Sequence, residues 1–164
     1  MAEKIKDEDI TPQVIASFFL TKKELTPKKI QKLVYYAYAW FIALNNENEN
    51  DITSTLFAEQ PEAWIHGPVF RSLYETYKTN KYHEVQKIDK EIAFENDEIQ
   101  SFLEEIWNKF GGYSADDLEA MTHSEDPWRN ARKGVDRMES SSTKISTTDI
   151  FRYYNELSQK QFIQ

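Results

Sequence analysis

The chain contains no cysteine, which excludes disulfides and thiolate metal sites and fits a reducing, cytoplasmic compartment. It also lacks any apolar run near the roughly 20 residues that cross a bilayer. Its start, MAEKIKDEDI, has no apolar signal region and mixes both charge signs. Positive charge is scarce: 20 Lys and Arg stand against 28 Asp and Glu, for a net charge of -8. Nucleic-acid binders neutralise phosphates with clustered cations. Here only Lys28/Lys29/Lys32 and Arg129/Arg132/Lys133 cluster, and the first group reads as the solvated outer turn of a helix. Neither direct nucleic-acid binding nor membrane attachment is expected; a basic protein partner is compatible with the charge. The metal and phosphate motifs are missing too, with no HExxH, HxH, phosphate loop, GxGxxG or GxSxG elbow. No cofactor or metal is expected.

What is present is enough for one core. The 164 residues, 40% hydrophobic and 14% aromatic, correspond to a single domain over 1–164, with 1–9 expected to be a flexible N-terminus. Three helix starts share one pattern. In ITPQVI, Thr11 caps, Pro12 takes the first helical position and Ile10 staples to Ile15. LTPKKI repeats this with Thr26, Pro27 and the Leu25–Ile30 pair, and ISTTDI uses Ser146, a capping-box Asp149 and the Ile145–Ile150 pair. Each supplies an oxygen to orphan N–H groups and fixes how the chain enters the helix.

The second start opens KKIQKLVYYAYAWFIAL. Ile30, Leu33, Val34, Ala37, Phe41 and Leu44 form one stripe, while Tyr36, Ala39, Trp40 and Ala43 fill the opposite side. A helix apolar nearly all round must be surrounded, so residues 27–45 are the expected central helix. Asn45–Thr55 reads as an exposed loop, and Val85–Ile88 as a short strand. Asn96 caps a helix ended by Gly111-Gly112, and Ser114 with Asp117 caps another. Asp126 caps a turn that carries Pro127 and Trp128, and KGVDRMESSSTK is a polar, mobile loop. The expected fold is mainly α: a single-domain multi-helix bundle around a buried central helix, with room for a short β-hairpin.

Two stretches invite a catalytic reading. EAWIHGPVF places His66 beside a Gly-Pro break, and THSEDPW holds His123 among Thr122, Ser124 and Asp126. A nucleophilic triad needs two hydrogen bonds between separate groups, and neighbours in one tight turn rarely make both. Architecture explains the same residues. Gly67 turns the chain, Pro68 starts a helix at its first position, Trp64 and Val69 pack on either side of the turn, and Trp128 plugs the core. A small hydrolase using His66 or His123 with a carboxylate is the lesser reading, and the protein is not expected to be an enzyme.

KIQKLVYYAYAW (29–40), EAWIHGPVFRSLYETYK (62–78) and LEAMTHSEDPWRNA (118–131), in this order, resemble the signature blocks of the Panacea domain family, which includes SocA-like antitoxins and phage-associated GepA-type proteins. The resemblance spans roughly residues 12–155. Ile30 stands where the family commonly has leucine, and the 45–51 loop is longer than usual. The resemblance implies an antitoxin that neutralises a cognate protein toxin by direct binding, with protease-adaptor action through a host protease as a variant. A phage-associated interaction protein aimed at another target is the alternative. The signature residues Leu33, Tyr35, Tyr36, Trp64, His66, Gly67, Pro68, Tyr74, His123, Pro127 and Trp128 are expected to build the fold or touch the partner. Candidate contact regions are the 45–55 loop, the 134–144 loop and the surface near Trp64 and His66; for the chain end at 162–164, packing, fraying and engaging a partner stay open.

Overall fold

Among the described residues there are seven α-helices, and five of them pack around a sixth. The computed structural model describes residues 3–163, with side chains through residue 160; Met1, Ala2, Gln164 and the side chains at 161–163 lie outside the described residues, and with them the expected contact at 162–164. The helices are α1 (Pro12–Leu20), α2 (Pro27–Asn45), α3 (Arg71–Tyr77), α4 (Asp97–Phe110), α5 (Ala115–His123), α6 (Asp126–Ala131) and α7 (Thr147–Ile163). Helix α2 packs against α1, α3, α4, α5 and α7, and the expected apolar surface is buried on all sides from Ile30 to Trp40. Its far end departs from the expected stripe, because Leu44 is 54% exposed where the helix runs out past its neighbours.

The caps explain why the helices begin where they do. Thr11 Oγ1 accepts the Val14 N–H, Thr26 Oγ1 that of Lys29, Asn96 Oδ1 that of Glu98, and Ser114 Oγ that of Asp117. Ser146 Oγ likewise accepts from Asp149 N–H at 3.2 Å, but the Asp149 carboxylate turns to Asn130 and Arg152 instead of closing a box. The staple residues Ile10, Ile15, Leu25, Ile30, Ile145 and Ile150 are all buried. At the N-terminus, Ile5 bridges Phe94, its N–H donating to the Ala93 carbonyl at 2.8 Å.

Three local expectations are corrected. Gly67-Pro68 does not start a helix. Glu62–Trp64 (β1) and Gly67–Val69 (β2) form an antiparallel hairpin across a two-residue turn, with Trp64 opposite Gly67 and Ala63 opposite Pro68, and α3 begins only at Arg71. The alternation of a two-residue hairpin makes Ala63–Pro68 a non-hydrogen-bonded pair, so the missing proline N–H costs nothing there. Gly67 adopts φ +110°, a conformation that favours glycine. Second, Val85 makes a single bridge to Leu25 and extends into no strand. Third, Glu125 and not Asp126 occupies the cap position of α6, and its side chain makes no cap bond, because its carboxylate is used in the core.

Candidate functional site

The signature residues divide between a buried frame and an exposed ledge. Helix α2 carries the frame. Leu33, Tyr35 and Tyr36 are buried, and Tyr36 stacks on Phe110 at 4.3 Å between centroids. Below them, Glu125 Oε1 accepts from the hydroxyls of Tyr36 (2.9 Å) and Tyr154 (2.7 Å), and the Tyr35 and Tyr154 hydroxyls lie 3.3 Å apart. Burial pushes the Glu125 carboxyl up to about 7, against the two phenol donors that favour its charged form. The bulk of the SEDPW turn is therefore organised by a carboxylate aimed inward.

Two polar residues of α2 hold the hairpin. Gln31 makes both amide bonds to one residue: its Nε2 donates to the Phe70 carbonyl (3.1 Å) and its Oε1 accepts the Phe70 N–H (2.9 Å). Lys32, expected on a solvated face, is 1% exposed. Its Nζ donates to the Pro68 carbonyl at 3.1 Å, and a Cβ added to Gly67 would come within 2.7 Å of its Cε. Burial lowers the amine to about 7, only partly offset by the charge of Glu119. Lys28 and Lys29 leave the expected solvent face as well: Lys28 pairs with Asp116 and Glu119, and Lys29 donates to the Gly111 carbonyl. Arg132 is also buried and donates to the Ala63, Asp136, Arg137 and Glu139 carbonyls, tying the 134–144 loop to β1. Burial of Arg132 leaves Arg129 and Lys133 as the exposed members of the second cluster.

The second and third signature blocks meet at the hairpin. Trp128 Nε1 donates to the Trp64 carbonyl at 2.8 Å, and the His123 ring stacks on Trp128 at 4.1 Å. Burial lowers the His123 pKa, with the neighbouring Glu119 charge working against it. Pro127 is buried beside Trp128. His66, at the hairpin turn, points out; its side chain is 71% exposed and its Nδ1 lies 3.2 Å from Glu119 Oε2. Burial acts to raise the Glu119 carboxyl, but bonds from Lys28 and His66 outweigh it and hold it below its ordinary value.

Outside the frame lies the ledge. Trp64 Nε1 donates to Glu62 Oε1 (2.9 Å), and Arg71 donates to both Glu62 oxygens (3.1 and 2.7 Å) while its guanidinium lies over the Trp64 ring. Burial would raise the Glu62 carboxyl, yet Arg71 and Trp64 draw it below its usual range. Tyr74, 42% exposed, meets Trp64 edge-on at 5.0 Å. Trp, Tyr and Arg are the residue types that dominate interface energies. The ledge borders a groove of about 520 Å³ walled by Ser140, Ser141 and Ser142. Two of the three expected contact regions are thus one surface. The third, the 45–55 loop, is folded on Asn46, whose Oδ1 accepts from Thr53 and Ser54, and Glu49 joins it to Arg152 of α7.

Of the hydrolase reading, a histidine–carboxylate pair is present at His66 and Glu119, 3.2 Å apart, but the THSEDPW turn assembles no nucleophilic triad. Ser124 Oγ donates to the Met121 carbonyl, Thr122 Oγ1 donates to the Glu119 carbonyl, and His123 faces Trp128. Among the described residues no group of three His, Asp or Glu side chains could hold a metal ion, and no helix is long and apolar enough to cross a membrane. Gln31, Lys32, Arg71, Glu119, Glu125 and Arg132 escaped the sequence reading as site residues. For two of them a signal existed: Gln31 and Lys32 lie inside a helix whose other residues on every side are apolar, so they had to be buried with it.

A family model described as antitoxin SocA-like, Panacea domain, matches residues 30–129, which takes in all eleven signature residues. No curated protein and no solved structure matches the chain.

Proposed function

The chain belongs to the antitoxin SocA-like, Panacea domain family, and from that premise we propose that it is an antitoxin that neutralises a cognate protein toxin by binding it directly, in the cytoplasm. The observation that carries the reading is the convergence of the signature blocks on one preorganised ledge. Trp64, Tyr74 and Arg71 stand at the surface, while Gln31, Lys32, Trp128 and Arg132 pin the backbone beneath them. A ledge whose side chains are already held in place by Glu62 and by one another loses little conformational entropy on binding. The aromatic face then supplies affinity through apolar burial. The net charge of -8 favours fast encounter with a basic toxin.

The test is growth rescue. The adjacent reading frame is expressed from an inducible promoter with and without this chain, in normal and protease-deficient hosts. Rescue in both, with co-purification, is the expected result. Rescue lost only in the protease-deficient host would replace masking by protease-adaptor action. A harmless neighbour, or no rescue, would overturn the cognate-pair reading in favour of an interaction protein with another target.

A further inference from the structure

The groove beside Trp64 is lined by Trp64, Ile65, His66, Val69, Arg71 and the serines at 140–142. In a chain with 28 acidic residues, no carboxylate is among them. Two acids beside it are spent from beneath. Glu62, its side chain 10% exposed, is neutralised by Arg71, and Glu119, 18% exposed, faces His66 and Lys28. In each pair the nitrogen-bearing side chain is the exposed member, with Arg71 55% and His66 71% exposed. Arg71 bonds Glu62 through Nε and Nη2, which leaves the two Nη1 N–H groups directed at no acceptor within the described chain. His66 engages Glu119 through Nδ1, so its Nε2 is equally unused. Glu139, next along the loop, turns its carboxylate back to the Asp136 N–H.

We propose that this groove receives an acidic, apolar segment of the protein partner, its large side chain against Trp64, Ile65 and Val69 and its carboxylate on Arg71 Nη1 and the serine hydroxyls at the rim. The inference rests on the antitoxin reading for the partner's identity, but not for the chemistry of the groove. It separates two effects of charge. The net negative field governs encounter over about a Debye length, whereas the contact itself is made where the surface carries donors and no acid. Guanidinium recognises carboxylate through paired N–H donors, and the apolar wall excludes water from that pair. A partner basic overall therefore presents one acidic, aromatic or aliphatic stretch here.

The experiment titrates the ¹⁵N-labelled full chain with two probes at physiological salt, acetyl-Glu-Phe-Glu-Phe-Glu-amide and its lysine counterpart. The expected result is saturable amide shifts at Ile65, His66, Val69 and Ser141 with the acidic peptide only. Ser141→Asp places a charge in the groove without touching the core, and is expected to weaken that binding at least about fivefold. Trp64→Ala is expected to abolish it. Equal shifts with the lysine peptide, no shifts with either, or an undiminished affinity in Ser141→Asp would each overturn the proposal. The titration needs no toxin. Failed peptide binding beside successful growth rescue discards the groove chemistry and leaves the antitoxin reading, and the opposite pair of results does the reverse.

Discussion

Lys32→Met should make the protein more stable at neutral and acidic pH and less stable at high pH. The amine is fully buried under the hairpin, with one carbonyl partner, Pro68, at 3.1 Å, and no carboxylate within ion-pair distance among the described residues. Its pKa falls from 10.5 to about 7, so the folded state holds the charged form at a cost of roughly 5 kcal/mol. The folded pKa lies below the unfolded one, so the unfolded chain binds more protons between pH 7 and 10.5. Stability therefore rises with pH through that window, and the cost is complete and constant below it. Methionine keeps the length and apolar stem of lysine and removes the charge. What it loses is the bond to the Pro68 carbonyl, whose orphaning costs about 1–3 kcal/mol. The net expectation is a gain of about 2–4 kcal/mol at pH 6, and a loss of about 1 kcal/mol near pH 10, where wild-type Lys32 is neutral. Urea unfolding followed by far-UV circular dichroism at pH 6, 8 and 10 measures the difference. The raised tyrosines and Glu125 titrate in both proteins and cancel. Parallel stability curves, with the variant weaker by one constant amount, would refute the reasoning, for they would mean that the buried ammonium carries no desolvation cost.

Glu125→Gln keeps an oxygen acceptor for Tyr36 and Tyr154 and removes a carboxylate whose pKa is raised to about 7. Because a raised acid loses stability as pH climbs from 4.5 to 7, the variant should unfold at a higher temperature than wild type at pH 8, and near it at pH 5, by thermal melts. Gly67→Ala should cost about 2 kcal/mol or more, since φ is +110° and the new Cβ would lie 2.7 Å from Lys32 Cε and 3.0 Å from Thr122 Oγ1. Equilibrium denaturation checks this, and an unchanged midpoint would contradict the hairpin geometry. Gln31→Leu removes both side-chain partners of Phe70 and should cost about 2–4 kcal/mol, with faster hydrogen exchange at Val69 and Phe70 than at α7 amides.

The parts of the fold that depend on neighbours in sequence were legible before any coordinates. Thr11, Thr26, Asn96, Ser114 and Ser146 cap as expected because a cap is a bond across two or three residues. The central helix was legible because nothing but burial accommodates apolar residues on every side. The hairpin was not, since Gly67-Pro68 satisfies the local rules for a helix start and for a strand equally well. The choice was made by Ala63, which turns its own N–H and C=O to Thr143 and Arg132, partners some 70 to 80 residues away. Asp126 was mistaken for the cap for a related reason. The stronger acceptor role of Glu125 toward Tyr36 and Tyr154 is visible only once α2 and α7 stand beside it.

The sequence by itself determined the helices, their caps, the surrounded helix α2 and the family blocks, because capping and periodicity act over one turn. Only the tertiary structure decided which backbone groups the interior polar residues hold. Lys32 and Arg132 have the composition of surface cations, and packing turned both inward to hold the hairpin and the 134–144 loop. It also decided that Arg71 and His66, not their acid partners, face solvent around Trp64. The sign and exposure of a charge in a folded chain depend on which groups packing brings within a few ångströms, and sequence spacing does not contain that distance.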